Sequence, residues 1–566
     1  MSRGRGGWFR GPVLAAGVDY AISIDGGPPQ PDPRSRWQPE GIDRPSRWID
    51  HLPPRPLSRP PVPLRQALIY ELHVGTFSPA GTFSGAIVHL PHLVDLGVTH
   101  VELMPIAQFS GAHGWGYDGV YPFAPHAAYG GPAGLRALVG ECHQLGLAVI
   151  VDVVHGRLGP EGDHTAALGP YWTSRHRTPW GDAINLDGEG SREVRRFMID
   201  SARSWLRDYG ADGLRLDAIH TLHDASERHL VAELVDEVRA LERDLGRTFV
   251  VIGEHGEHDP RAVVERPHGW GLDAHWNDDF HHALHALLTG ERGGRYGAFA
   301  DPDALAQVLE RGYVRNSAHP PFRGGPHDAP FGALPRDRLV AYTQSHDQVG
   351  NRAAGERLHQ LAGLDRARIA AALLFVSPFV PMLFQGEEWA ASTPFCYFCD
   401  LQAPELREAV RARRHANHAH AHAAAGWQGE PVEPAELAEP SEPSDPAAFA
   451  APGDPLDPAT RERCVLRWQE REDGVHAQML LWYRRLAAAR RAHPALRDPA
   501  PASTRVRWRG AVLEVERGEL VLACNLADEP ARLDPGHGGE VLLASPPTGL
   551  ARAAELPPCS CVLFRR

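Results

Sequence analysis

Eight apolar runs of strand length recur along the middle of this chain, and most of the segments between them are long enough for a helix. They cover residues 67–74, 100–106, 148–154, 213–219, 249–254, 271–276, 339–346 and 381–385. They are apolar throughout rather than alternating, which is typical of parallel strands buried on both faces. Eight strands alternating with helices predict an α/β fold, a (β/α)8 TIM barrel over residues 66–428.

Helical spacing supports this pattern between the strands. Val194, Phe197, Ala202, Trp205 and Leu206 return to one face at intervals near 3.6 residues. The connection after the third strand is longer than a simple loop and rich in Gly and Pro. It predicts an inserted subdomain over the barrel mouth at 155–190.

The flanking regions differ from the barrel in composition. Residues 1–60 hold short strand-like runs among many prolines, which predicts a truncated N-terminal β-sandwich-like segment and a linker. After the barrel we expect an acidic, proline-rich loop at 429–456, a helical connection at 457–500 and a small C-terminal β domain at 501–566.

Charge, apolar runs and cysteine content argue against several kinds of partner, membrane insertion, secretion and a disulfide-stabilised fold. A net charge of −13 and a pI near 6.2 argue against nucleic acid or an anionic membrane as a partner. No run approaches the ~20 apolar residues that span a bilayer, and the apolar run from Val13 is too short for a secretion signal. Seven scattered cysteines form no disulfide framework. We therefore expect a cytoplasmic protein, whose oligomeric state the sequence leaves open.

Three of the predicted strands are followed by an acid. Asp217 follows Gly-Leu-Arg-Leu, Glu254 follows Val-Ile-Gly, and Asp347 follows Gln-Ser-His. The carboxyl ends of barrel strands meet at one face, so these side chains are expected to converge. A single acid here would more simply be a helix N-cap. Three of them favour a catalytic cluster.

Such a trio is suited to cutting an α-glycosidic bond. One carboxylate attacks the sugar, one acid protonates the departing oxygen, and a third carboxylate supports the positive charge on the ring. Arg215 lies two residues before Asp217 and faces the same side of the strand, so its cation would keep Asp217 ionised. Glu254 must start protonated and so requires surroundings that raise its pKa.

Two neighbouring features fit a sugar substrate. Tyr117 offers a ring on which the C–H face of a pyranose could stack, although ordinary loop packing explains it equally well. His346, beside Asp347, is a candidate for binding the hydroxyls of the reacting sugar.

Four segments carry a clear family resemblance. Residues 152–157, 213–220, 252–254 and 345–347 resemble the four motif regions of the α-amylase superfamily of retaining glycosidases. The resemblance implies Asp217 as nucleophile, Glu254 as general acid/base and Asp347 as transition-state stabiliser. It implies double displacement, with the two working carboxyls about 5 Å apart.

Further motifs resemble one family within that superfamily over nearly the whole chain. They include Tyr-Glu-Leu-His-Val-Gly-Thr-Phe at 70–77, Gly-Pro-Glu-Gly at 159–162, Thr-Pro-Trp-Gly-Asp at 178–182 and Phe-Gln-Gly-Glu-Glu-Trp at 384–389. They are similar to the maltooligosyltrehalose trehalohydrolase family. This implies an enzyme that cuts the α-1,4 bond next to the terminal trehalose of maltooligosyl trehalose. Besides the residues above, the implied substrate-binding candidates are Asp118, His220, Trp276, Asp278, Asp279 and His282.

The chain departs from the family pattern in the first motif region. It has Gly156 and Arg157 where the family usually has Asn and His, and that histidine helps to hold the reacting sugar. We therefore expect a working but impaired enzyme, with His155 as a conceivable partial substitute because strand alternation would place it on Arg157's face. By the same resemblance, the N-terminal β domain is expected to be several tens of residues shorter than is usual in the family.

No metal or cofactor is expected. The asparagine that commonly serves calcium in the superfamily is replaced by Gly156. A run of histidines at 415–422 is Ala-rich and lacks acid or cysteine partners, so a solvated helix is the simpler interpretation.

Two alternatives remain open at this point. A glucan branching transferase would use the same acids but pass the sugar to another glucan rather than to water. A catalytically lapsed relative would bind saccharide without turnover. Their products separate them: free trehalose, new α-1,6 branches, or none.

Overall fold

Eight parallel strands form a closed barrel in the computed structural model, which describes residues 1–4, 9–50, 61–178, 181–256, 259–314, 334–424, 453–533, 539–546 and 555–566. The strands are β1 Ile69–Leu72, β2 His100–Leu103, β3 Ala148–Val153, β4 Gly213–Leu216, β5 Val250–Gly253, β6 Ala274–Trp276, β7 Leu339–Tyr342 and β8 Val380–Phe384. Each pairs with the next along the chain, and β8 pairs with β1. The predicted (β/α)8 barrel is confirmed, with a strand in each of the eight runs.

The barrel is filled by apolar side chains from its strands. Ile69, Ile150, Ile252, Val340 and Met382 belong to one buried cluster, which explains why the strands read as continuous apolar runs. Charged side chains lie further along the same strands. The β3–β4 register sets Arg215 beside Asp152, so a cation and an acid are neighbours near the end of the barrel where the strands finish.

Helices surround the barrel, and one of them, Pro404–Ala424, lies beside the cleft described below. Their bounds are α1 Leu90–Leu96, α2 Gly131–Gln144, α3 Ser191–Arg207, α4 Leu230–Leu245, α5 Asp278–Thr289, α6 Asp303–Arg311, α7 Leu364–Val376, α8 Pro404–Ala424 and α9 Gly474–Ala492. In α3 all five apolar residues of the predicted face are buried. Burial of each large apolar side chain contributes about 1.5–3 kcal/mol, which holds the helix to the sheet.

An inserted segment follows β3, as predicted. It contains an antiparallel hairpin of strands Trp172–Thr178 and Gly181–Ile184. Residues 179 and 180, within one of the family-like motifs, lie outside the described residues. The hairpin brings Trp172 to the edge of the cleft described below.

A five-stranded antiparallel sheet forms the C-terminal part of the chain. Its strands are β9 Thr504–Arg509, β10 Val512–Arg517, β11 Leu520–Asn525, β12 Glu540–Ser545 and β13 Ser560–Arg565, in the order β9-β10-β11-β13-β12. The predicted small C-terminal β domain is confirmed.

The N-terminal region contains only short paired segments among its described residues. Asp19–Tyr20 pairs antiparallel with Ser46–Arg47. Most of the predicted linker at 52–63 and nearly all of the acidic loop at 429–456 fall outside the described residues. The histidine run lies where α8 is described by its backbone alone. Across the parts of the chain that are described, no helix combines the length and apolarity required to cross a membrane.

Candidate active site

The three acids predicted to cluster all line one cleft at the carboxyl end of the barrel. Asp217 follows β4 directly, Glu254 follows β5 directly, and Asp347 lies in the short helix His346–Gly350 after β7. The cleft has a volume of about 770 Å³ and is open to one side. Loops after parallel strands are where barrel enzymes place reacting groups, so this cleft is the candidate active site.

Arg215 donates hydrogen bonds to two of these acids from the barrel side of the cleft. Its side chain is 1% exposed and donates from Nη1 to Asp152 Oδ2 at 2.8 Å and to Asp217 Oδ1 at 3.0 Å. Its Nη2 donates to Glu254 Oε2 at 2.7 Å. The ring of Trp276 lies beneath the guanidinium, 4.3 Å from Cζ to the ring centroid. One buried cation therefore fixes the positions of Asp217 and Glu254 relative to each other.

Glu254 has the raised pKa that a general acid requires. Burial raises the pKa of this carboxyl to about 8; Arg215 opposes the shift, and Asp217 and Asp347 reinforce it. The backbone N–H of Ala218 donates to Glu254 Oε2 at 2.9 Å. Ala218 has a φ of 42°, a strained conformation for alanine, and such strain concentrates at functional sites. Because its pKa is raised to about 8, Glu254 keeps its proton at neutral pH.

This raised pKa predicts the basic limb of the pH profile. Below about pH 8 Glu254 is protonated and can give its proton to the departing oxygen; above it the carboxylate cannot. We expect kcat/KM on a natural oligosaccharide to decline as pH rises through about 8, measured by initial rates from pH 5 to 10. An aryl glycoside with a nitrophenolate leaving group requires no proton and should lose this limb in the glycosylation step. A basic limb centred at pH 6 or below would contradict the assignment of Glu254.

Tyr117 and His346 form a hydrogen-bonded pair on the cleft wall. Tyr117 Oη donates to Asp152 Oδ2 at 2.7 Å, so it accepts from His346 Nε2 at 2.8 Å. His346 Nδ1 bonds to Glu71 Oε1 at 2.5 Å. Burial disfavours the imidazolium, but Glu71 outweighs it and raises the pKa of His346. Both ring nitrogens are therefore engaged by protein, and the two rings stack at 5.1 Å between centroids.

The remaining sequence-based candidates divide into two groups. Asp118 and His220 line the cleft with the acids. Asp278 is partly exposed nearby, accepts a hydrogen bond from Tyr342 and helps to raise the pKa of Glu254.

Trp276, Asp279 and His282 do not lie in the cleft lining. Trp276 belongs to the buried cluster inside the barrel, under Arg215. Asp279 Oδ2 accepts from Val314 N at 2.9 Å, and His282 is buried against Phe299. Their expected place on the cleft wall is corrected: the ring of Trp276, at the end of β6, lies inside the barrel, and Asp279 and His282 on α5 are buried. Their role in recognising trehalose stays a prediction.

Sequence reasoning missed several residues of the cleft wall. Trp172 of the inserted hairpin lines it, with Nε1 donating to Asp163 Oδ2 at 2.9 Å. Tyr397, Arg413 and Arg414 also line the cleft, the two arginines from α8. A tryptophan in an insertion was a weak available signal. The arginines of α8 gave none, because an Arg-rich helix usually reads as a solvated face.

The altered first motif region lies at the cleft edge. Arg157 lines the cleft, and its Nε donates to the backbone oxygen of Tyr117 at 3.2 Å. His155 is buried and bonds to Ser201 Oγ at 3.1 Å, so it does not share the face of Arg157. Strand alternation fails there because β3 ends at Val153.

Restoring histidine at position 157 tests whether the enzyme is impaired. We expect Arg157→His to raise kcat/KM several-fold, at most about tenfold, because one hydrogen bond to the reacting sugar is worth about 1 kcal/mol. The Gly156→Asn, Arg157→His double variant should be measured beside it, with thermal midpoints. A Cβ on residue 156 would lie 2.8 Å from Thr221 Oγ1, so the double variant is expected to be less stable. Unchanged turnover in both variants would refute the impairment.

Comparison with family models supports the barrel and the C-terminal sheet. A model described as "Alpha amylase, catalytic domain" matches residues 58–166. A second, described as "Domain of unknown function (DUF3459)", matches residues 497–563, which contain the C-terminal sheet.

Comparison with whole proteins extends over nearly the full chain. The chain is 44% identical to a malto-oligosyltrehalose trehalohydrolase of Arthrobacter ramosus, over 94% of this chain and 88% of that protein. It is 40% identical to a malto-oligosyltrehalose trehalohydrolase of Mycobacterium tuberculosis, over 100% of this chain and 95% of that protein. Among solved structures, a Salmonella typhimurium protein provisionally assigned as an alpha amylase superposes with a TM-score of 0.85 at 33% identity. The match covers 97% of this chain and 91% of that protein.

Proposed function

Because this chain belongs to the malto-oligosyltrehalose trehalohydrolase family, we propose that it hydrolyses the α-1,4 bond next to the terminal trehalose of maltooligosyl trehalose. The products are free trehalose and a shortened maltooligosaccharide. The observation that carries the chemistry is the single guanidinium of Arg215 holding Asp217 and Glu254 in a cleft that Asp347 also lines.

In the first step we assign the attack to Asp217. Its carboxylate forms a bond to C1 of the glucose adjoining trehalose, and the bond from C1 to O4 of trehalose breaks. The proton of Glu254 passes to that oxygen, so trehalose leaves as a neutral alcohol. The basic limb expected near pH 8 reports this proton. Asp347 supports the charge that develops on the ring.

In the second step Glu254 acts as a base. Its carboxylate takes a proton from water, the water oxygen bonds to C1, and the bond to Asp217 breaks. Glu254 ends protonated and Asp217 ionised, as they began. The α configuration at C1 is retained because it inverts twice.

The cleft walls suit an oligosaccharide. Trp172 on the inserted hairpin presents an indole whose N–H is already bonded to Asp163, which fixes the ring as a platform for a sugar face. We assign outer sugar positions to Trp172 and His220, and a position at the reacting sugar to Tyr117. We also propose a cytoplasmic location, because the seven cysteines are free thiols.

Product analysis distinguishes hydrolysis from the alternatives. The purified protein is incubated with maltooligosyl trehalose and, separately, with maltooligosaccharide of equal length, and released sugars are followed by chromatography. We expect free trehalose from the first and little cleavage of the second. New α-1,6 linkages would instead identify a branching transferase, and binding without any product a lapsed relative.

A further inference from the structure

Helix α8 brings a cation to the wall of the cleft at Arg414. Its Cζ lies 3.8 Å from the ring centroid of Tyr397, and its Nη1 donates to Asn351 Oδ1 at 2.8 Å. Both partners also line the cleft. Arg414 is therefore held on two sides, by a ring face and by a hydrogen bond.

The hydrogen bond from Arg414 sets the orientation of the Asn351 amide. A guanidinium can only donate, so the amide oxygen must face Arg414 and the amide nitrogen must face away from it. On that side Asn351 Nδ2 donates to Asp347 Oδ1 at 2.6 Å and to Asp347 O at 2.9 Å. Arg414 thus determines which end of Asn351 meets the acid.

The base of α8 is fixed to the inserted segment. Glu161 accepts from the backbone N–H of Gln402 at 2.8 Å, just before the helix begins, and it also accepts from Ser110. Further along, Arg411 pairs with Asp454 at 2.9 Å. The helix consequently presents Arg414 from a tethered backbone rather than from a free surface helix.

We propose that Arg414 is a positioning residue that acts on Asp347 through Asn351. The amide of Asn351 engages Oδ1 of Asp347 and leaves Oδ2, beside Arg295, as the oxygen that meets the sugar hydroxyls. This proposal rests on the proposed function, because it assumes that Asp347 supports the transition state. Neither residue is assigned a contact with the reacting atoms.

Kinetics of Arg414→Ala, Asn351→Ala and the double variant test the relay. We expect each single change to lower kcat on maltooligosyl trehalose by about 10- to 100-fold with KM altered less than about threefold, because the lost alignment acts mainly in the transition state. The double variant should resemble the singles, since both break one chain. Arg414→Lys should recover part of kcat by donating to the same oxygen. Glu408→Ala, at an exposed position of the same helix, is the matched control and should keep wild-type kcat.

Asn351→Asp supplies a second readout. Aspartate at 351 still accepts from Arg414, but it can donate to Asp347 only when protonated, and ionised it repels that acid. We expect this variant to recover activity as pH falls, moving the optimum about one unit or more to the acid side. Asn351→Ala should show no such shift. The pH optimum is read within each variant, so it does not depend on the variants folding to the same extent.

Three results would overturn the relay: additive losses in the double variant, a loss confined to KM, or an Asn351→Asp profile parallel to that of Asn351→Ala. Trehalose release by the unmodified enzyme is measured in the same assays. If the relay is wrong but the function right, wild-type trehalose release persists; if the function is wrong, no trehalose appears from the wild type.

Discussion

Asp217→Asn is expected to lower kcat on maltooligosyl trehalose by at least about 10³-fold while the protein stays folded. The amide cannot form the covalent bond to C1, so both steps of the reaction lose their intermediate. Its oxygen can still accept from Arg215 Nη1, now 3.0 Å from Oδ1, so the packing of the site is preserved. Turnover is measured by trehalose release, and folding by the thermal midpoint.

The matched control is the acid at the other end of the same strand. Asp212 precedes β4, accepts from His143 Nε2 and from the backbone N–H of Val149, both at 2.8 Å, and is not one of the residues that line the cleft. Asp212→Asn should lower the thermal midpoint but spare kcat, because the amino ends of barrel strands serve stability. If Asp217→Asn retained more than a tenth of wild-type kcat, Asp217 would not be the nucleophile.

Arg215→Met should damage stability and turnover together. Methionine fills similar space but removes the cation that Asp152, Asp217 and Glu254 share. Leaving buried carboxyls without their partner costs about 3–5 kcal/mol in the free energy of unfolding. It also removes the contribution that holds down the pKa of Glu254, so that pKa should rise above about 8.

Measurement of this variant combines denaturation with a pH profile. We expect kcat to fall by on the order of 10³-fold and unfolding to occur at lower denaturant concentration. Arg215→Lys keeps a charge but not the forked geometry, so it should lose less stability than Arg215→Met. Wild-type stability in Arg215→Met would show that the buried cation is not what holds the acids.

The barrel could be predicted from the sequence because each of its strands is encoded by a short apolar segment. Continuous apolar runs such as 148–154 and 213–219 are typical of strands buried on both faces, and β3 and β4 form within them. The convergence of Asp217 and Glu254 followed from the barrel alone, since both come one residue after a strand.

The parts that escaped prediction depend on tertiary placement. Asp279 and His282 are buried by the direction of α5, and Trp276 by its position inside the barrel at the end of β6. No short-range sequence pattern encodes either placement. His155 follows the end of β3, so alternation no longer governs its side chain. Arg414 lies on a helix whose position is set by contacts such as Glu161 with Gln402, hundreds of residues apart.

Retaining hydrolysis through Asp217 must release trehalose and, first, the α-anomer of the other product. A time course of ¹H NMR spectra on maltooligosyl trehalose records both products in one sample. We expect free trehalose to appear together with the α-anomer of the shortened maltooligosaccharide, before mutarotation produces the β-anomer. First appearance of the β-anomer would contradict double displacement through Asp217, and reducing sugar without trehalose would contradict the site of cleavage.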